Sequence, residues 1–283
     1  MLEILFKLES DGKALQKCLQ GQGISSEIHT TLFQNQTHFL VTFQLEERAK
    51  EALKTFILDV KRKDWSSFFL TDSFYFHDEN EHEQILQIVL EMFSGERVEL
   101  VSLLNEWDED TFIYQAIDLL LTGREPVSFD TFVKFRLKRY QNRLLQYIEL
   151  AIDEYKMEQD YQMFIHTLRD YISTKKEELH HIHLYLYNHE SFFYNEAFRE
   201  MKREELLSKM DKRLLVNHPL YIDSVTIAPL LSLAPKKIYL YFNQEENGLV
   251  RTIQKIFEER VVILPSSELL SNFEGNGKGV VNE

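Results

Sequence analysis

"FDTFVKFRLKRYQNRLLQYIELAIDEYKMEQDYQMFIHTLRDYIS", residues 129–173, is the stretch on which the architecture turns. Val133, Leu137, Tyr140, Leu144, Tyr147 and Ala151 recur at alternating spacings of four and three residues. That places them on one stripe of an α-helix. The helix would run well beyond ordinary globular length, so a bend or break is expected near Glu158 to Tyr161.

Upstream of it, "LEILFKL" (2–8) alternates loosely as a strand, and "SDG" turns the chain. Ser10 or Asp11 is the expected cap of the helix "KALQKCLQ", which "GQG" ends. "SSEIHTTLFQ" and "THFLVTFQL" form a hairpin of β-branched and aromatic residues. Glu46 to Lys63 is helical. This start is either most of a ferredoxin-like module or a hairpin sheet covered by two helices. From Trp65 onward the periodicity is helical, with Gly95 and Gly123 as stops. Downstream of the long helix, "IHLYLY" (182–187) and "IYLYF" (238–242) share the pattern I-[HY]-L-Y-[LF]. Helical segments follow each, and "RVVIL" closes a strand–helix–strand unit. The fold class is therefore α+β: an N-terminal β-α-β-β-α module (1–64), a helical middle (65–178), a small C-terminal α/β module (179–265) and a polar tail (266–283) expected to be disordered.

The chain has 283 residues, 44% of them apolar, which excludes general disorder. No apolar run is long enough to cross a membrane, and the start lacks the pattern of a signal peptide. The single Cys18 fits a reducing compartment and reads as a helix core residue, so a cytoplasmic location is expected.

Net charge is −14, unevenly spread. Residues 72–125 hold 14 acids against Arg97 and Arg124. Residues 129–143 then carry Lys134, Arg136, Lys138, Arg139 and Arg143 against Asp130 alone. Arg136, Arg139 and Arg143 fall on one helix face, a row of donors suited to an anionic ligand or an acidic partner. These five cations are the candidate binding residues. The competing expectation is that the chain's own carboxylates in 72–125 neutralise them.

Other chemistry-bearing clusters have simpler readings. "HHIHLYLYNH" (180–189) sets His181 and His183 on one strand face, but zinc needs at least a third ligand, and His189, His166, His218 and Glu178 have no ligand spacing. Glu79-x-x-His82, Glu177-x-x-His180 and Glu178-x-x-His181 are half-motifs of a carboxylate-bridged metal bundle, and Asp78 and Glu79 read as an acidic first helical turn. Glu154, Glu158, Asp160, His166 and Asp170 lie on an acidic helix that faces water. No Walker loop, GxGxxG, GxSxG or CxxC occurs. No catalytic residue, metal or cofactor is assigned.

Phe135, Arg136, Leu137, Lys138 and Tyr140, then Ala151 to Tyr155, then Glu158, Asp160, Tyr161, Phe164, Ile165, Leu168 and Arg169 make up a pattern that resembles the YtxC-like family. "SVTIAPLLSLAPKKIYLY" extends the resemblance toward the C-terminus. It implies a cytoplasmic, sporulation-associated protein of an endospore former, and it adds weight to Arg136, Lys138, Arg169, Asp153 and Glu154. It supplies no activity. The expectation is a non-enzymatic interaction protein with a protein partner, nucleic acid being disfavoured by the acidic charge. The alternative is an enzyme or binding protein for a phosphorylated or nucleic-acid ligand, with Arg136, Arg139 and Arg143 as clamps and Glu154, Glu158 or His166 as base or metal ligand.

Overall fold

The computed structural model describes residues 1–33, 35–122, 126–176, 179–188, 190–208, 225–243 and 248–269. The chain divides into two compact units, Met1–Lys156 and Met157–Glu283. Both combine sheet and helix, so the class is α+β as expected.

The first unit opens with β1 (Leu2–Phe6), α1 (Glu9–Gly21), β2 (Ser26–Phe33), β3 (Gln36–Phe43) and α2 (Glu47–Thr55), the β-α-β-β-α order read from the pattern. β2 and β3 pair antiparallel, and so do β3 and β1, in register Ile4↔Val41. A short fourth strand, β4 (Val127–Ser128), adds to the other edge of β1. The order β2-β3-β1-β4 is that of a ferredoxin-like sheet, but β4 runs parallel to β1 where that fold has an antiparallel strand. Between β3 and β4 stand α2, α3 (Arg62–Asp72), α4 (Glu79–Ser94), α5 (Val98–Val101) and α6 (Glu109–Leu121).

Neither Ser10 nor Asp11 caps α1, which starts at Glu9 without a side-chain cap. Asp11 instead accepts from the ammonium of Lys61 at 2.9 Å. Gly12 brings α1 down onto β3, where a Cβ would lie 3.4 Å from Cγ2 of Val41. The helix expected to end at Lys63 continues: α2 passes through a π-helical turn, Phe56–Lys61, into α3. Ala49, Ala52, Leu53, Phe56 and Ile57 pack on the sheet, while Leu70 joins a second core with α4 and later helices. Asp78 caps α4 by accepting from the backbone of Asn80 and Glu81, and Gly95 ends it in the left-handed region at φ 82°.

The long helical stretch is interrupted at Leu137, and no break in the helix occurs near Glu158 to Tyr161. α7 (Phe129–Arg136) is followed at Leu137 (φ −101°, ψ 7°) by α8, an unbroken helix over Lys138–Thr174. The hydrogen bonds Leu137 N–H to Val133 and Gln141 N–H to Leu137 survive the bend. Residues 158–160 are exposed, and Glu, Gln and Met sustain a solvated helix, so nothing there demands a break. The seam is buried along its whole length, from Val133 to Ala151, and it changes core as it goes. Phe129, Phe132, Val133, Leu137 and Tyr140 belong to the sheet core; Leu144, Tyr147, Ile148 and Ala151 belong to the second.

In the second unit β5 (His181–Tyr187) pairs antiparallel with β6 (Glu190–Tyr194) and parallel with β7 (Lys237–Tyr241), which pairs parallel with β8 (Val261–Leu264). The two echoing segments are neighbours, aligned Ile182↔Ile238, His183↔Tyr239 and Leu184↔Leu240. α9 is Arg203–Ser208, α10 is Ile227–Leu233 and α11 is Gly248–Phe257. Phe164, Ile165, Leu168 and Ile172 of α8, all of α10, and Val250, Ile253, Ile256 and Phe257 of α11 cover one face of the sheet. The tail beyond residue 269 lies outside the described residues.

Candidate functional site

The five candidate cations do not form one row. The bend at Leu137 separates Lys134 and Arg136 on α7 from Lys138, Arg139 and Arg143 on α8. Ser128 fixes the start of α7 by accepting from Thr131 N–H, and Phe129 anchors it among Phe6, Phe56 and Trp65.

Arg143 is 9% exposed. It donates to the Asn105 carbonyl at 2.6 Å and to Gln146 Oε1 at 3.2 Å, and its plane lies 5.4 Å from the Tyr147 ring. Its Nε–H has no partner among the described residues. Arg139 covers the ring of Trp107 at 4.8 Å. Lys134 lies 5.6 Å from the ring of Phe135. Lys134, Arg136, Lys138 and Arg139 are exposed. Arg136 and Phe135 line a surface groove of about 530 Å³ with Leu119, Leu120, Val127 and Phe132.

Among the described residues, 72–125 meet the candidate cations through neutral groups and not through carboxylates. Asn105 and Trp107 belong to that region, but they offer a carbonyl and an indole, not carboxylates. The acids go elsewhere because α6 packs along α2. Asp118 holds Lys50 at 2.9 Å, Asp110 holds Lys54 at 2.9 Å, and Glu109 holds Arg62 at 2.8 Å. Glu91 and Glu154 share Arg97, which holds the Glu91 carboxyl below its ordinary range. Asp108 caps α6, its pKa lowered by the Thr111 hydroxyl and N–H. Among the described residues, none of the five candidate cations has a carboxylate within ion-pair distance, whereas Lys50, Lys54, Lys61, Arg62 and Arg97 all do.

The polar groups absorbed by packing were not legible in sequence. Lys61 is buried between Asp11 and Asp64, both at 2.9 Å. Arg62 donates from Nε to the Tyr140 hydroxyl at 3.0 Å and lies 3.9 Å from the Phe93 ring. Burial pushes the Glu109 and Tyr140 pKa values up, so Tyr140 stays protonated. The one sequence signal for the groove is Phe135, an aromatic residue off the apolar stripe between two cations, 70% exposed.

The rings of His181 and His183 meet edge-on, 5.2 Å apart, but not as ligands of a common ion. His183 is 5% exposed, stacked on Phe198 with ring centroids 4.0 Å apart, and its Nδ1 lies 3.0 Å from the Tyr241 hydroxyl. Burial, then the neighbouring His181, lowers its pKa to about 4. The strand face that carries His183 is thus closed at this position. Glu196 accepts from the backbone N–H groups of His180 and His181, which lowers its pKa. His82 meets Ser67 Oγ at 3.1 Å, and Glu154 is tied to Arg97. His166 sits exposed beside Asp170. Among the described residues no group of three or more His, Cys, Asp or Glu is arranged to hold a metal; Glu177, Glu178, His189 and His218 lie outside them.

The described residues make an α+β protein in which exposed cations without a carboxylate partner among those residues stand beside an apolar groove. Among the described residues no helix is long and apolar enough to cross a membrane. The YtxC-like family matches residues 47–262, and the chain belongs to it. The chain is 34% identical over 223 residues to "Uncharacterized protein YtxC" of Bacillus subtilis (strain 168), covering 79% of this chain and 78% of that protein. No solved structure matches.

Proposed function

We propose that this chain is a cytoplasmic, sporulation-associated interaction protein without catalytic activity, docking an acidic partner on Lys134, Arg136, Lys138 and Arg139. The carrying observation is electrostatic. In a chain of net charge −14, these cations stand without a carboxylate among the described residues while Lys50, Lys54, Lys61 and Arg62 are paired. Arg143, though buried, supports the same surface by holding the Asn105 carbonyl, and with it the segment that carries Trp107. An exposed, unpaired cation keeps its field for a partner; a paired one does not.

The test is affinity capture from sporulating cells with wild type and the Arg136→Glu/Arg139→Glu variant. A partner recovered by wild type and lost by the variant supports docking on this face. Identical recovery by both refutes it. Steeply salt-dependent binding of an oligonucleotide would replace the protein partner with nucleic acid.

A further inference from the structure

We infer that the groove between α6 and α7 seats an apolar side chain from an acidic segment of a partner protein. This deepens the docking-face reading and rests on it. The groove floor is apolar, built from Leu120, Val127 and Phe132, and its lips are Leu119 and Phe135, 53% and 70% exposed. Large apolar side chains left this open beside one another mark a surface that another body covers.

Three features select the occupant. The rim is cationic: Arg136 lines the groove and Lys134 Nζ lies 5.6 Å from the Phe135 ring, so the complement is an anion at the edge and hydrocarbon at the centre. The groove holds about 530 Å³, within the size range of small-molecule pockets, but its lips are open to solvent. Such a trough cannot enclose most of a small ligand's surface, as tight small-molecule sites do. A protein segment brings its own cover. Finally, a nucleic acid would want cations aligned along a backbone track, and here Arg143 is buried, Arg139 lies on Trp107, and the bend at Leu137 divides the rest. The fit is a Leu, Ile or Phe side chain flanked by Asp or Glu, laid across α7 (compare the apolar anchors of groove-bound peptides).

The experiment is selection of a random peptide library displayed on phage against the full chain, followed by fluorescence anisotropy of the enriched peptides. Two variants serve as comparators, Leu119→Ser/Phe135→Ser and Arg136→Glu; all three positions are exposed, and circular dichroism confirms that each variant folds. The expected result is enrichment of an apolar anchor among acidic residues, with affinity falling at least tenfold in both variants. Acidic peptides weakened by Arg136→Glu but indifferent to Leu119→Ser/Phe135→Ser overturn the groove and leave the docking face standing. Peptides indifferent to both variants, or no enrichment, overturn both. An oligo(dT) strand bound more tightly than the peptides, and weakened by Arg136→Glu, overturns the partner class.

Discussion

Acidification should loosen the second unit through one imidazole. His183 has a pKa of about 4 in the fold, against an ordinary value near 6.5. Its folded pKa is depressed, so the unfolded chain binds the extra proton first, and the associated stability is full above pH 6.5 and lost as pH falls toward 4. Its surroundings offer a cation little: Phe198 and Tyr239 stack on the ring, His181 meets it edge-on, and among the described residues the Tyr241 hydroxyl is the one hydrogen-bond partner. Between pH 7.5 and pH 5 the loss is about 2 kcal/mol, or roughly a 30-fold fall in protection. Carboxylates with lowered pKa, such as Glu196, titrate below this window. Both tryptophans, Trp65 and Trp107, lie in the first unit, so their fluorescence does not report the effect. Amide hydrogen exchange of β5 and β7, corrected for the intrinsic rate, does. His183→Phe should abolish the pH dependence at the cost of about 1 kcal/mol for the lost hydrogen bond to the Tyr241 hydroxyl. If β5 protection in the wild type is flat across the window, or if His183→Phe shows the same fall, the buried neutral imidazole is not what links this unit to pH.

Lys61→Met should destabilise the first unit by about 3 kcal/mol, because Asp11 is left with its carboxylate largely buried and unpaired; tryptophan-detected thermal unfolding reads it. Adding Asp11→Leu should recover part of that loss, and further destabilisation instead would refute the charge argument. Arg62→Ala removes the cation from the largely buried Glu109 and leaves that carboxylate to the Tyr140 hydroxyl alone, and a loss of about 2–4 kcal/mol is expected by urea denaturation. Tyr75 holds φ 62° while 75% exposed, a strained conformation for a bulky residue. Tyr75→Gly should therefore raise stability by about 0.5–1 kcal/mol, seen as a higher melting temperature.

What the sequence disclosed was whatever periodicity encodes. The Val133 to Ala151 seam was visible because every member is buried on one side of a helix, and the echo of residues 182–187 in 238–242 became two parallel neighbours aligned residue for residue. Local chemistry with a distant partner stayed hidden. Asp11 looked like a cap because its counter-ion, Lys61, is fifty residues away in the chain. β4 escaped notice at two residues, too short to show alternation. Charge blocks adjacent in sequence suggested pairing of 72–125 with 129–143, yet helix packing sent Asp110 and Asp118 to α2 instead. For the site, the cations were legible and their fates were not: whether Arg143 is buried and Arg136 exposed depends on a single-residue bend with no proline or glycine to announce it.

The π turn at Phe56–Lys61 has a geometric corollary. A rod of constant pitch can present one apolar stripe in one direction only. Widening a single turn introduces a phase slip of about 100°, the angular step of one residue. The first half of the rod can thus look toward the sheet while Leu70 looks toward the other core. Deleting any one residue within the widened turn would restore uniform winding and swing everything from Arg62 to Asp72 round the axis, with all side chains from Glu47 to Thr55 unmoved. The Arg62 clamp on Tyr140 and Glu109 is therefore set by how many residues the turn contains as much as by which residues they are.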